Sequence, residues 1–306
     1  MRASCNALFF IIAAFCFAQS AFSWQTKQTE SFIIHFTETD LKSAEFTSSI
    51  AEKSLDYVCK ALEYKPLVRI EVWIAPSRDI YRQLQPRHLI PEWSIGAADP
   101  KSSSIYLLSP QYARKEGKKY DVVLVFRHEL AHLILNKAVP DQHIPRFLDE
   151  GFARYISGEW TLSKGGRITI ALFTNKLLPL AGLIYGFPQD AKEAQLAYLE
   201  SESFIIYLAA RADLPKLIRY LRSGDTPAKA LMNATGMPLN FLQEDWMHFL
   251  QKKHSWILLF SDNLLWGFMT LLFILAYSVY YFRMKYKHEH LDDDIDDDPN
   301  PRGFAD

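Results

Sequence analysis

Hydrophobic and polar residues follow two patterns in the first third of the chain. Runs of β-branched and aromatic residues at 31–36, 68–74 and 104–108 predict three strands. Apolar residues spaced three or four positions apart between Leu41 and Glu63 predict a helix. The segment from Trp93 to Pro100 shows neither pattern, and we expect a loop there.

The rest of the chain is dominated by helical spacing. A strongly apolar segment predicts a helix from Tyr120 to Asn136, ending before Pro140. Pro145 suits the first turn of the next helix. The pattern is helical from Ala191 to Leu250, with breaks at Pro215, Gly224 and Gly236. Strands followed by helices predict an α+β fold: a small N-terminal mixed sheet packed on the helix at 120–136, then a mostly helical C-terminal half.

An apolar run lies near each end of the chain. Arg2, the run that follows it and small residues around Ser20 and Ser23 predict a cleaved signal peptide over 1–23. The alternative is an uncleaved N-terminal anchor. The uncharged run at 264–282 is long enough to cross a bilayer and predicts one transmembrane helix. Here the alternative is a buried core helix.

These runs predict the order of segments and the topology. A signal peptide at 1–23 precedes an ectodomain at 24–254, an interfacial connector at 255–263, the transmembrane helix at 264–282 and an acidic tail at 283–306. A cleaved signal followed by one stop-transfer helix predicts a cytoplasmic C-terminus and an ectodomain outside, and the basic residues after the apolar run point weakly the same way. The short signal and compact plan favour a bacterial inner membrane, with the ectodomain in the periplasm or outside the cell.

Composition excludes some classes of protein. The 306 residues carry a formal net charge of −1, which argues against a nucleic-acid binder. Cys59 would be the only cysteine left after signal cleavage, so an intramolecular disulfide framework is excluded. The sequence does not determine the oligomeric state.

The helix at 120–136 contains an HExxH motif formed by His128, Glu129 and His132. Residues four apart share a helix face, so both imidazoles can bind the same metal ion. Glu129 can then lie beside a water molecule bound to that ion. A metal site of this kind needs a third ligand. Glu150 on the next helix is our prediction, and the alternatives are His143, Asp149 and Glu159.

The HExxH motif is followed, after residues 133–149, by the sequence Glu150-Gly151-x-Ala153-x-Tyr155. This arrangement resembles the gluzincin zinc metallopeptidases, most closely the bacterial peptidase-MA-like families. The similarity extends diffusely from about Phe32 to Leu250. The resemblance implies Zn²⁺ bound by His128, His132 and Glu150, with water in the fourth position. It also implies that an edge strand, which we place at 104–108, pairs with an extended peptide substrate.

Catalysis would then divide among a few residues. Glu129 is the expected general base. Tyr198 is the first candidate to donate a hydrogen bond to the tetrahedral oxyanion and Tyr155 the second, although each also fits a packed aromatic. In thermolysin-like enzymes an acid one turn after the third ligand orients a zinc histidine, and here that position is Arg154. Asp149 or Asp121 are the possible replacements.

Two functions follow from these residues. The first is a membrane-anchored zinc metallopeptidase that hydrolyses peptide or protein substrates. The chain has no aminopeptidase-type Gly-x-Met-x-Asn stretch, so we expect an endopeptidase. The alternative is a catalytically inactive, membrane-anchored module with a structural or recruiting role, favoured by the missing acid at Arg154.

Overall fold

The computed structural model describes residues 23–85, 94–139, 144–254 and 262–293. Nearly all of the predicted signal peptide, most of the predicted connector and the end of the tail lie outside these ranges. Trp93 and the alternative ligand His143 also lie outside them. The predicted segment boundaries therefore stay predictions.

A five-stranded mixed sheet forms in the N-terminal part of the chain. The strands are β1 (Gln25–Gln28), β2 (Phe32–Phe36), β3 (Ile70–Ala75), β4 (Gly96–Asp99) and β5 (Ser104–Leu108). Their order across the sheet is β1-β2-β3-β5-β4. The inner pairs β2–β3 and β3–β5 are parallel, while β1 and β4 pair antiparallel with their neighbours.

Helices make up most of the described chain. They are α1 (Leu41–Leu62), α2 (Arg78–Leu84), α3 (Pro110–Lys115), α4 (Val122–Ala138), α5 (Arg146–Ser157), α6 (Leu162–Phe173), α7 (Leu180–Leu183), α8 (Ala191–Arg211), α9 (Leu214–Arg222), α10 (Pro227–Thr235), α11 (Leu239–His254) and α12 (Asp262–Asp293). The small mixed sheet and this helical content confirm the predicted α+β class.

The structure contains the predicted elements and also elements that the patterns did not predict, which are β1, β4, α2, α3, α6 and α7. β2, β3, β5 and α1 lie where the patterns placed them. The expected loop at 93–100 is wrong, because Gly96–Asp99 forms β4, paired with β5. Its Gly-Ala-Ala-Asp sequence has weak strand propensity, and the pairing with a neighbouring strand overrides that preference. β5 is therefore an inner strand, so its predicted role as the edge strand is also wrong.

The described chain divides into two compact units. The first contains the residues up to Trp160 together with Ala181–Leu239, and the second contains Thr161–Leu180 and the residues from Asn240 onward. In the first unit, α1 packs on β2 and on α4, and α4 contacts β4 and β5. The α4 helix packs on α5, which in turn packs on α8. Phe32, Phe126, Phe147 and Phe204 are fully buried in this core.

The α5–α8 contact depends on a glycine. A Cβ atom at Gly151 would lie 2.5 Å from the backbone oxygen of Ser201 and 2.7 Å from the Ile205 side chain, both on α8. Such distances are well inside van der Waals contact, so only glycine lets the two helix backbones approach this closely. Glu150, the residue before it, takes its place from the same packing.

The second unit contains a long apolar helix. Within α12, Trp266–Tyr286 is long and apolar enough to cross a membrane, and its side chains are exposed. It is the one such helix among the described residues. The span overlaps the predicted transmembrane segment at 264–282, and its exposure argues against the alternative of a buried core helix.

We predict that Gly151→Ala destabilises the protein. The added methyl group forces α5 and α8 apart, which costs about 1–3 kcal/mol of the free energy of unfolding. Urea denaturation of the wild type and the variant measures the difference.

The matched control is Gly166→Ala in α6, where a Cβ atom would meet nothing within 4 Å. That variant should gain about 0.5–1 kcal/mol, because alanine suits a helix interior better than glycine. Equal effects at the two positions would contradict the close-packing account.

Candidate metal centre

The motif helix begins at a well-defined cap and presents both histidines on one face. The carboxylate of Asp121 accepts hydrogen bonds from the backbone N–H groups of Val123 and Leu124, at 2.9 and 3.2 Å. One turn separates His128 from His132, and their Nε2 atoms lie 3.1 Å apart. Asp121 is thus a helix cap, and this use of its carboxylate removes it as the partner of a histidine.

The α5 helix brings a carboxylate to the same point. Glu150 Oε2 lies 3.8 Å from His128 Nε2 and 3.9 Å from His132 Nε2. The donor atoms of the three residues all fall within 4.8 Å of one another, and the side chains are partly buried. The structure therefore brings together the three residues that the sequence predicted as ligands.

The donor set fits a divalent metal ion. Two ligands at the zinc–imidazole distance and a tetrahedral angle would be about 3.3 Å apart, close to the separation of the two Nε2 atoms. Two imidazole nitrogens and one carboxylate oxygen also make up the protein ligands of one common class of catalytic zinc site. A set of three leaves a fourth position for water or substrate.

A carboxylate lies within hydrogen-bond distance of the Nδ1 atom of each histidine. His132 Nδ1 lies 2.8 Å from Asp149 Oδ1, and His128 Nδ1 lies 2.9 Å from Glu159 Oε1. A carboxylate at Nδ1 accepts the proton there and leaves the Nε2 lone pair directed at the metal position. Asp149 and Glu159 thus contact the Nδ1 atoms, whereas Glu150 lies near the two Nε2 atoms.

Glu159 reaches His128 because of the way α5 ends. Gly158 adopts a left-handed conformation with φ of 81°, and its N–H bonds back to the last turn of the helix. The chain therefore reverses, and Glu159 also accepts a hydrogen bond from Ser157 at 3.1 Å and one from Arg154 at 3.3 Å. Arg154, which stands where an acid was expected, instead supports the acid that orients His128.

The carboxylates set the protonation of the site. Burial favours a neutral His132, but the charge and hydrogen bond of Asp149 outweigh it and raise the pKa of His132 to about 10. A metal ion must displace that proton, so metal binding would release protons to solvent.

Glu129 lies against the edge of the sheet. Its side chain is buried, and burial raises its pKa, while the two nearby imidazoles act against the rise. A Cβ atom at Gly96 would lie 2.5 Å from Glu129 Oε1, so the β4 backbone passes directly beside this carboxyl group. A glycine inside a strand is the sequence signal of such a close approach.

The two candidate tyrosines have different surroundings. Tyr198 on α8 accepts a hydrogen bond from Arg146 Nη2 at 2.5 Å. Burial raises the pKa of Tyr198, and the negative charge of Glu150 raises it further. Burial also raises the pKa of Tyr155, and the second cause of that rise is another tyrosine, Tyr57 on α1. Of these two candidates, Tyr198 is the one whose pKa is affected by Glu150.

Comparison with known protein families agrees with this geometry. The family model of the peptidase MA superfamily matches residues 78–252, more than half of the chain. The chain belongs to the peptidase MA superfamily. Membership indicates a peptidase that acts on peptides or proteins, and the family is typically metal-dependent. The match begins after β3, so β1, β2 and α1 lie outside it, although the resemblance was expected from about Phe32.

A search of the curated proteins gives no match to the chain.

Sequence patterns did not reveal every residue of this site. The sequence offers Glu159 only as an alternative ligand and gives no signal for Arg146. Each acts across a turn or between helices, where no spacing rule applies. A signal for Glu159 was nevertheless present, since Gly158 at the end of a helical pattern predicts a chain reversal.

We predict that Glu159→Gln weakens zinc binding about 10- to 100-fold, because the amide cannot hold the Nδ1 proton of His128 as a carboxylate does. Competition with a chromophoric zinc chelator measures the affinity.

Glu45→Gln on the exposed face of α1 is the control for the loss of one negative charge. An affinity for Glu159→Gln equal to that of the control would show that Glu159 does not orient the ligand.

Proposed function

We propose that the protein is a membrane-anchored zinc metallopeptidase of the gluzincin type that cleaves peptide bonds within a chain. The observation that carries the proposal is the convergence of His128 Nε2, His132 Nε2 and Glu150 Oε2 within 4.8 Å, with Glu129 buried alongside. Three protein ligands and an open fourth position are typical of a catalytic zinc site, whereas a structural site fills all four positions.

The residues around the centre divide the chemistry. Zinc would supply Lewis-acid activation of a water molecule and of the scissile carbonyl. Glu129 takes the proton of the attacking water and later delivers it to the leaving amine. A buried carboxyl group with a raised pKa suits both steps, since it has to hold the proton between them. Tyr198 donates a hydrogen bond to the oxyanion of the tetrahedral intermediate.

The substrate would lie along β4, one of the two edge strands of the described sheet. Its outer edge has backbone groups that an extended peptide can pair with, and Gly96 lies beside Glu129. Strand pairing holds a peptide by its backbone on both sides of the cleaved bond, which favours an endopeptidase.

The inactive module now has less support. The absence of an acid at position 154 favoured it, but Glu159 contacts His128 and Asp149 contacts His132. Both imidazoles therefore have the oriented Nδ1 contact that a working metal site needs.

The apolar segments near the two termini support a proposal for the cellular location. We place the ectodomain at 24–254 in the periplasm, the transmembrane helix within α12 and the acidic tail in the cytoplasm of a bacterial cell. The apolar Trp266–Tyr286 segment supports the anchor, and the basic residues Arg283 and Lys285 support the orientation.

We predict that Glu129→Gln retains zinc and loses about 10²- to 10⁴-fold in turnover, because the amide cannot accept the proton of the attacking water. Metal analysis and cleavage of a fluorogenic peptide library by the full-length protein in detergent measure the two properties.

The matched control is Glu193→Gln on the exposed first turn of α8, which should cleave like the wild type. Undiminished cleavage by Glu129→Gln would contradict the proposed mechanism.

We predict that the protein stays with the membrane fraction after an alkaline wash. Replacing both Leu272 and Leu275 with arginine should release it, since each central arginine costs about 2.5–3.5 kcal/mol of insertion free energy. Immunoblotting of washed membranes measures the distribution.

Isoleucine at the same two positions is the control and should leave the protein in the membrane. Retention of the arginine variant would contradict a membrane-spanning role for this segment.

A further inference from the structure

Arg146 links the metal site to Tyr198. It lies in the first turn of α5, one turn before Glu150. Its Nη2 atom donates to the Tyr198 hydroxyl oxygen at 2.5 Å, whereas its Nε atom lies 3.8 Å from Glu150 Oε1. The first distance is a hydrogen bond and the second is too long for one. The geometry therefore directs Arg146 primarily to Tyr198 and not to the ligand carboxylate.

The direction of this hydrogen bond determines what Tyr198 can do. A guanidinium group has N–H donors and no acceptor, so the phenol oxygen has to accept. The O–H proton of Tyr198 then remains available for another acceptor. A positive charge at the oxygen also polarises the O–H bond and makes it a stronger donor.

Several side chains hold the ring of Tyr198 in place. The Arg154 guanidinium lies 4.7 Å from the ring centroid, and the Phe187 ring meets it edge-on at 4.8 Å. Arg146 extends over Phe187 as well, at 4.9 Å from that centroid. Arg154 also donates a hydrogen bond to Glu159, the residue that contacts His128. One arginine therefore contacts both the Tyr198 ring and Glu159.

We propose that Arg146 is a positioning residue for catalysis. It fixes the Tyr198 oxygen and turns its O–H proton toward the oxyanion of the tetrahedral intermediate. The inference rests on the proposed peptidase function and on the role given there to Tyr198. The competing explanation is that Arg146 only balances the charge of Glu150, but its side chain is 51% exposed and its Nε–Oε1 distance is long, so that ion pair is weak.

The test is a double-mutant cycle on the full-length protein, using a fluorogenic peptide selected with the wild type. Tyr198→Phe removes the donor and should lower kcat about 10²- to 10³-fold. Arg146→Met leaves the phenol misdirected and should lower kcat at least about 10-fold with KM unchanged, because the interaction is made only in the transition state. In the Tyr198→Phe background, Arg146→Met should have no further effect on kcat.

Two further variants separate positioning from folding and from charge. Arg146→Lys keeps a cationic donor and should recover part of the lost kcat. Arg222→Met is the matched control, since it removes another arginine that lies over a tyrosine, Tyr64, and it should leave kcat at the wild-type value. Zinc content and thermal melting show that each variant is folded and loaded.

The outcomes distinguish this inference from the proposed function. If the fold-losses of kcat from the two single variants multiply in the double variant, the residues act independently and the positioning role is overturned. A change in KM alone would also overturn it. Full activity of Tyr198→Phe would overturn it as well and would remove Tyr198 from the mechanism. Neither result affects the zinc-peptidase proposal, which depends on the separate comparison of Glu129→Gln with the wild type.

Discussion

The donor atoms of His128, His132 and Glu150 lie within 4.8 Å of one another because α4 packs closely on α5. Burial of such polar groups is costly unless each has a partner. The packing provides those partners, since Asp149 is on α5 and Glu159 follows directly after it. Gly151 then allows α8 to close on the same helix. The chemistry of the site thus rests on one contact between helices.

Four acidic side chains lie close together around the candidate metal site. Glu129, Asp149, Glu150 and Glu159 carry negative charge into a small, partly buried volume, and like charges at these distances repel. Arg154 offsets part of this charge through its ion pair with Glu159. A divalent cation between the two Nε2 atoms and Glu150 would offset more, and this is the electrostatic reason to propose a metal that is integral to the site.

The sheet and the helices contribute different parts of the proposed mechanism. The helices carry the candidate ligands and their hydrogen-bond partners, whereas β4 is an edge strand of the described sheet and passes beside Glu129. In the proposed mechanism the general base, Glu129, is on α4 and the oxyanion donor, Tyr198, is on α8. Attack and oxyanion stabilisation would then come from different elements, each fixed by its own packing.

The sequence alone determined what depends on local periodicity. The helix with His128 and His132 follows from residues four apart sharing a face, and β2, β3, β5 and α1 follow from their hydrophobic patterns. The tertiary structure decided what depends on distant pairing. β4 forms despite weak propensity because β5 lies beside it, Glu159 meets a histidine 31 residues away, and Arg146 meets a tyrosine 52 residues away. Such contacts have no period in the sequence, because they are set by how helices pack and how the chain reverses at Gly158.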